Sequence, residues 1–215
     1  MGHVQRRLIA FDLDGTLVDS CRDLADSMND LLAERGASPI SEQTIARMIG
    51  DGARMLVRRA LAHAGVEERS EDAERFLAIY DTRLLNHTRP YDGVLEAVRA
   101  ARRHAHVAVL TNKALGPSER LLQGLGIRDL FDDVFGGDGP HPRKPDPSAL
   151  KALMARAGSG PGRTLMIGDS RVDFETAVGA EARCCIAAYG FSSHTLHGVD
   201  TGSAWVAVSS TDEIG

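Results

Sequence analysis

Asp12-Leu13-Asp14-Gly15-Thr16 places two carboxylates two residues apart at the end of a short apolar run. In an extended segment side chains alternate, so Asp12 and Asp14 project to one side while Leu13 points away. Two carboxylates that close repel unless a cation or a shared proton intervenes. Gly15 lets the chain turn sharply just past the run. A lone Asp-Gly reads as a turn, but four specified residues in this order arise by chance about once in a thousand chains of this length. Thr111-Asn112 offers a hydroxyl and a backbone N–H able to hold a phosphoryl oxygen, with a Ser/Thr turn as the alternative. Arg143-Lys144-Pro145-Asp146-Pro147 presents an ammonium from a proline-stiffened segment, or else an exposed loop lysine. Gly168-Asp169-Ser170-Arg171-Val172-Asp173 supplies two carboxylates four residues apart, which either serve a site or cap a helix.

Residues 8–11, 107–110, 164–167, 184–188 and 205–208 are short runs apolar on both faces, as in strands buried in a parallel sheet. Helical patterns at 94–103, 118–125, 148–157 and 173–180 alternate with them. This alternation predicts an α/β fold with an open, doubly wound, mostly parallel sheet. In such sheets ligands bind beyond the carboxyl ends of the strands, and three of the runs end at Asp12, Thr111 and Asp169. Between 18 and 88 no strand pattern appears. Leu24, Met28, Leu31 and Leu32 share one helical face, and Met55, Leu56, Arg59, Ala60 and Ala64 define another helix. Ser70 reads as the N-cap of a helix carrying Phe76, Leu77, Tyr80 and Leu84. The chain therefore divides into an α/β core of residues 1–17 plus 89–215 and a helical insertion of 18–88.

In order and position, these groups resemble the haloacid dehalogenase superfamily of phosphotransferases that form an aspartyl phosphate. Asp12-Leu13-Asp14-Gly15-Thr16 matches its first motif, Thr111 its second, Lys144 its third, and Asp169 with Asp173 its fourth. The insertion resembles the superfamily's helical C1-type cap on a Rossmann-like core. The resemblance implies a nucleophile at Asp12, a general acid/base at Asp14, and a phosphoryl group held by Thr111, Asn112 and Lys144. It also implies Mg²⁺ bound by Asp12, the Asp14 backbone carbonyl and Asp169, with Asp173 ordering what surrounds the metal. The charges balance: Mg²⁺ and Lys144 offset a dianionic phosphate and the Asp12 carboxylate, and oxygen ligands suit Mg²⁺.

Within that superfamily, residues 11–20, Ile49-Gly50-Asp51-Gly52-Ala53, Leu110-Thr111-Asn112-Lys113 and Gly136-Gly137-Asp138 resemble the phosphoglycolate phosphatases. This implies hydrolysis of a small phosphate monoester, 2-phosphoglycolate, approached by the backbone at Gly50, Asp51 and Gly52. Arg47, Arg54 or Lys113 would pair with its carboxylate. Sugar and nucleotide phosphatases share these segments, and β-phosphoglucomutase uses the same core to return the phosphoryl group to a sugar. A non-catalytic binding protein that keeps the fold is the reading from another class. Dehalogenases of the superfamily lack the second aspartate, present here as Asp14. Phosphonatases need a cap lysine for a Schiff base, and residues 17–89 contain none.

Composition narrows the partners. The net charge is -5 with no basic block, which argues against nucleic acid. No apolar run approaches the ~20 residues of a membrane span. No signal-peptide pattern opens the chain, and Cys21, Cys184 and Cys185 form no disulfide or zinc framework. A cytoplasmic monomer or homodimer is expected. Lys113, Lys144 and Lys151 are the only lysines among 25 basic residues, and two of the three fall in the motifs above. No role is assigned to any histidine, His3, His194 and His197 included.

Overall fold

A strand buried on both faces must satisfy two cores at once, and β1 (Leu8–Phe11) does so by alternation. Leu8 and Ala10 pack with Leu150, Leu153 and Ala177 on one side of the sheet, while Phe11 faces Val98, Leu121 and Leu122 on the other. Each fully buried side chain of this size contributes ~1.5–3 kcal/mol. The computed structural model describes residues 6–202 and 204–207, so His3, Val208 and the termini of the expected core lie outside the described residues.

Among the described residues, six parallel strands form the main sheet in the order β5-β4-β1-β6-β7-β8. The others are β4 (His106–Leu110), β5 (Asp133–Phe135), β6 (Thr164–Gly168), β7 (Arg183–Ala187) and β8 (Trp205–Ala207). Helices α5 (Val94–Arg102), α6 (Leu115–Gly124), α7 (Ser148–Ala157) and α8 (Arg171–Gly179) connect them. The chain leaves β1 toward β4 and β5, then returns to the far side of β1 with β6. That reversal opens a crevice at the carboxyl ends of β1, β4 and β6.

Between β1 and α5 lie α1 (Cys21–Glu34), α2 (Glu42–Ala46), α3 (Ala53–His63) and α4 (Asp72–Arg83). Met28, Leu61 and Phe76 of these helices join the same apolar cluster as Phe11 and Val98. Both chain crossings are pinned. β2 (Val18–Asp19) pairs antiparallel with β3 (Arg89–Pro90), and the buried Asp23 carboxylate accepts the His87 and Thr88 amides and the Thr88 hydroxyl at 2.8–3.0 Å.

The structure corrects several expectations. The stretch 18–88 does contain strand, because β2 gains its hydrogen bonds from β3 seventy residues away and needs no apolar pattern of its own. Ser70 does not cap α4; its hydroxyl turns to Glu71, and the buried Asp72 carboxylate takes the Arg69 amide and the Arg35 guanidinium instead. Helix α6 starts at Leu115, three residues before the expected start, since Pro117 is tolerated in a first turn where its missing N–H costs nothing. β5 was not expected, its three residues being too short to show a period. Cys184 and Cys185 in β7 point into opposite core layers. No helix among the described residues is long and apolar enough to cross a membrane.

Candidate active site

The strand ends deliver their side chains as the spacing requires. β1 runs into Asp12, whose amide donates to the Ile167 carbonyl at 2.8 Å, locking the start of the acidic segment to β6. β6 ends at Gly168 and places Asp169 beside it, and the first turn of α8 brings Asp173 back to the same point. Carboxylate oxygens of Asp12, Asp169 and Asp173, all buried, lie within 4.8 Å of one another. Lys144 is inserted among them, its ammonium 2.8 Å from Asp12 Oδ1 and 2.5 Å from Asp173 Oδ1, with 2% of its side chain exposed.

Burial sets the electrostatics. It pushes the Asp12 carboxyl up to about 7, with Lys144 opposing and Asp173 adding to the rise. Asp169 is raised well above the ordinary aspartate value by burial, then by Asp173 and Asp12. Burial works against the Lys144 ammonium, but Asp12 and Asp173 outweigh it and hold Lys144 above the usual lysine range.

Asp14 lines the same cavity as Asp12, but the chain bends at Leu13 instead of running extended between them. Asp14 Oδ1 accepts the Ser20 hydroxyl at 2.6 Å, and its two oxygens take the Lys113 ammonium at 3.0 and 3.1 Å. Lys113 also donates to the Tyr80 hydroxyl at 2.8 Å. Burial disfavours the Lys113 charge, yet Asp14 and Tyr80 keep it above the ordinary lysine value; burial pushes the Tyr80 phenol up to about 12. Asp12, Asp14, Thr111, Asn112 and Lys113 line one cavity of about 80 Å³ together with residues from α1, α3 and α4.

Four carboxylates (Asp12, Asp14, Asp169, Asp173) thus face two ammonium groups (Lys113, Lys144). Fully ionised, they leave two formal negative charges, the charge of one divalent cation. The donors are oxygens without histidine or thiolate, as a hard cation prefers. Asp173 is already engaged: Oδ1 meets Lys144 and Oδ2 takes the Ser170 hydroxyl at 2.6 Å and the Ser170 amide at 3.1 Å. Asp173 completes the capping box of α8 with Ser170 while its other oxygen meets Lys144. Asp12 and Asp169 are left as the facing pair, and a divalent metal fits them.

Asn112 ties the site to the helices, its amide donating to the carbonyls of Gly50 and Lys144 at 3.0 Å each. Gly50 and Gly52 line the cavity, whereas Asp51 pairs with Arg59. Arg47 and Arg54, considered as carboxylate partners, are exposed and line no part of the cavity, Arg47 in the turn after α2 and Arg54 on the solvent side of α3. Arg143 reaches the cavity instead, its Nε donating to the Gly137 carbonyl at 2.9 Å.

Ser20 and Tyr80, read from sequence only as part of a motif segment and of a helical stripe, and Gly190 and Ser192, which carry no sequence signal, also belong to the site. The Ser192 amide donates to Asp169 Oδ2 at 2.8 Å, and a Cβ on Gly190 would collide with the Gly15 carbonyl and with Asp169. Gly15 itself adopts φ 88° and meets the Asp169 carboxylate where a side chain would stand. Gly190→Ala should therefore displace Asp169, reducing kcat about 100-fold and stability by about 1–3 kcal/mol; kinetics and urea denaturation of the purified variant check this. No local pattern marks Gly190, since its constraint comes from segments far away in sequence.

Residues 9–187 match the model of the haloacid dehalogenase-like hydrolase family. The chain is 41% identical over 196 residues to the phosphoglycolate phosphatase of Rhodospirillum rubrum, covering 86% of this chain and 81% of that one. It is 39% identical to phosphoglycolate phosphatase 1 of Pseudomonas aeruginosa, with 86% and 71% covered. The crystal structure of a predicted phosphoglycolate phosphatase from Haemophilus somnus 129PT superposes with a TM-score of 0.87 at 30% identity, covering 98% and 97% of the two chains.

Proposed function

This chain belongs to the haloacid dehalogenase-like hydrolases, and from that premise we propose that it is a Mg²⁺-dependent phosphatase that hydrolyses 2-phosphoglycolate through a phosphoryl group carried on Asp12. The observation that carries the reading is the buried Lys144 ammonium bonded to Asp12 where β1, β4 and β6 end. The helices of 18–88 act as a cap domain over a core of 1–17 and 89–215. A cavity of about 80 Å³ suits a short leaving group, and the relatives named above are phosphoglycolate phosphatases.

Asp12, Asp169 and the Asp14 carbonyl would hold Mg²⁺, which when bound neutralises charge on the phosphoryl oxygens. Thr111, the Asn112 N–H and Lys144 hold the phosphoryl group in line with Asp12. A carboxylate oxygen of Asp12 forms the bond to phosphorus as the ester oxygen departs. Asp14 gives that oxygen its proton, then takes one from the water that attacks the aspartyl phosphate and releases inorganic phosphate. Asp173 keeps Lys144 in place and Ser192 does the same for Asp169.

A panel of phosphate monoesters, assayed after chelation and after Mg²⁺ is restored, tests this. Hydrolysis is expected only with Mg²⁺, with kcat/KM for 2-phosphoglycolate at least about tenfold above hexose phosphates and nucleotides, or ~1.4 kcal/mol in transition-state binding. Full activity in excess chelator refutes the metal, and a smaller preference refutes the substrate. Conversion of a sugar 1-phosphate to its 6-phosphate would identify a mutase.

A further inference from the structure

Beyond Asp12 and Asp14 the cavity is largely apolar, walled by Leu24, Ile49, Leu56 and Phe76. Lys113 is the buried cation of this lining, its side chain 9% exposed, whereas Arg143 is exposed at the rim. The Lys113 ammonium spends its bonds on the two Asp14 oxygens and the Tyr80 hydroxyl, and lies 4.5 Å from the centre of the Tyr80 ring. Tyr80 accepts from Lys113 and makes no hydrogen bond with its own proton among the described residues. A cation and a hydroxyl donor therefore converge on the cavity, one from the loop after β4 and the other from α4.

An anionic group entering here can take the place of one Asp14 oxygen at Lys113 and accept the Tyr80 proton, so that the ammonium is shared between two carboxylates. A neutral group in the same place gives the ammonium a weaker partner than the carboxylate oxygen it displaces. We propose that Lys113 and Tyr80 form the anion-reading end of the substrate cavity and select phosphate monoesters whose leaving group bears a carboxylate. This rests on the phosphatase reading above and adds the residues that set its substrate class. Because one donor sits on the core and one on α4, the bound carboxylate also bridges the two.

The test compares kcat/KM for 2-phosphoglycolate with that for 2-hydroxyethyl phosphate, the same skeleton with an alcohol in place of the carboxylate, in wild type, Lys113→Met and Tyr80→Phe. p-Nitrophenyl phosphate serves as a general readout of phosphatase activity. Wild type should favour the carboxylate substrate by at least about 100-fold, Lys113→Met should lower that ratio by about 30-fold or more, and Tyr80→Phe by about tenfold. Equal losses on both substrates, or an unchanged ratio in either folded variant, would overturn the proposal. If Lys113→Met does not fold, the Tyr80→Phe ratio decides. A wild type that hydrolyses p-nitrophenyl phosphate with Mg²⁺ yet shows no carboxylate preference overturns this inference alone, whereas one inactive on all three substrates overturns the phosphatase reading beneath it.

Discussion

Asp12→Asn is expected to lower Mg²⁺-dependent hydrolysis of p-nitrophenyl phosphate by at least about 10⁴-fold while leaving the metal-free protein as stable as wild type, or more so. The amide keeps the shape of the side chain but cannot form the bond to phosphorus. The stability half follows from the neighbourhood. Asp12 is buried beside Asp169 and Asp173, and its carboxyl is pushed up to about 7 from an ordinary 3.8. A carboxyl raised in this way keeps a proton in the folded protein that the unfolded chain releases. Its contribution is therefore present at low pH and lost as pH rises from about 4 to 7. Metal-free wild type should lose stability across that window, and Asp12→Asn should lose less. Urea midpoints at pH 5 and pH 8 measure it, and a variant retaining a tenth of the wild-type rate would eliminate Asp12 as nucleophile.

Lys144→Met should do the opposite to stability. The ammonium sits 2.8 Å from Asp12 and 2.5 Å from Asp173, and its removal strands three buried carboxylates within 4.8 Å of one another. Breaking a buried ion pair from one side costs about 3–5 kcal/mol, so the urea midpoint should drop sharply at pH 8. At pH 5 the carboxylates can take up protons, and the deficit should shrink. Activity should fall at least about 10³-fold, since both the phosphoryl-binding charge and the orientation of Asp12 are lost. A variant equally stable at both pH values, or more stable than wild type at pH 8, would show that Lys144 is not the counter-charge of this cluster.

The two variants divide the site along a line that residue types already suggest. Carboxylates at strand ends repel one another, a lysine between them relieves part of that, and two negative charges remain. Under the proposed mechanism, fold stability and catalysis pull against each other at Asp12 and coincide at Lys144, so the pair of measurements distinguishes a nucleophile from a structural counter-ion.

Much of this is legible in the sequence. Strands buried on both faces announce themselves as short apolar runs, and β1, β4, β6 and β7 fell where residues 8–11, 107–110, 164–167 and 184–188 placed them. Elements that depend on a partner were missed. β2 and β5 hold two and three residues, too few for a period, and exist because a neighbouring strand offers hydrogen bonds. Ser70 had the chemistry of a cap, but Asp72, held by Arg35 from α1, took over the start of α4.

Local sequence fixes which chemically capable residues stand at or just beyond the strands, because side-chain alternation and turn chemistry act over a few neighbouring residues. Asp12, Asp14, Thr111, Lys144 and Asp169 belong to that local information. Tertiary packing alone decided which charges meet. Lys113 reaches Asp14 across 99 positions of sequence, and Tyr80 joins them from a helix of the insertion. Arg47 and Arg54, equally plausible as charges, turned to solvent. Helix phase and the burial of an apolar face choose the direction of each side chain, and both depend on what the helix packs against. That is why the acidic cluster could be read from the motifs, whereas the charged end of the cavity emerged only when the helices were laid against the sheet.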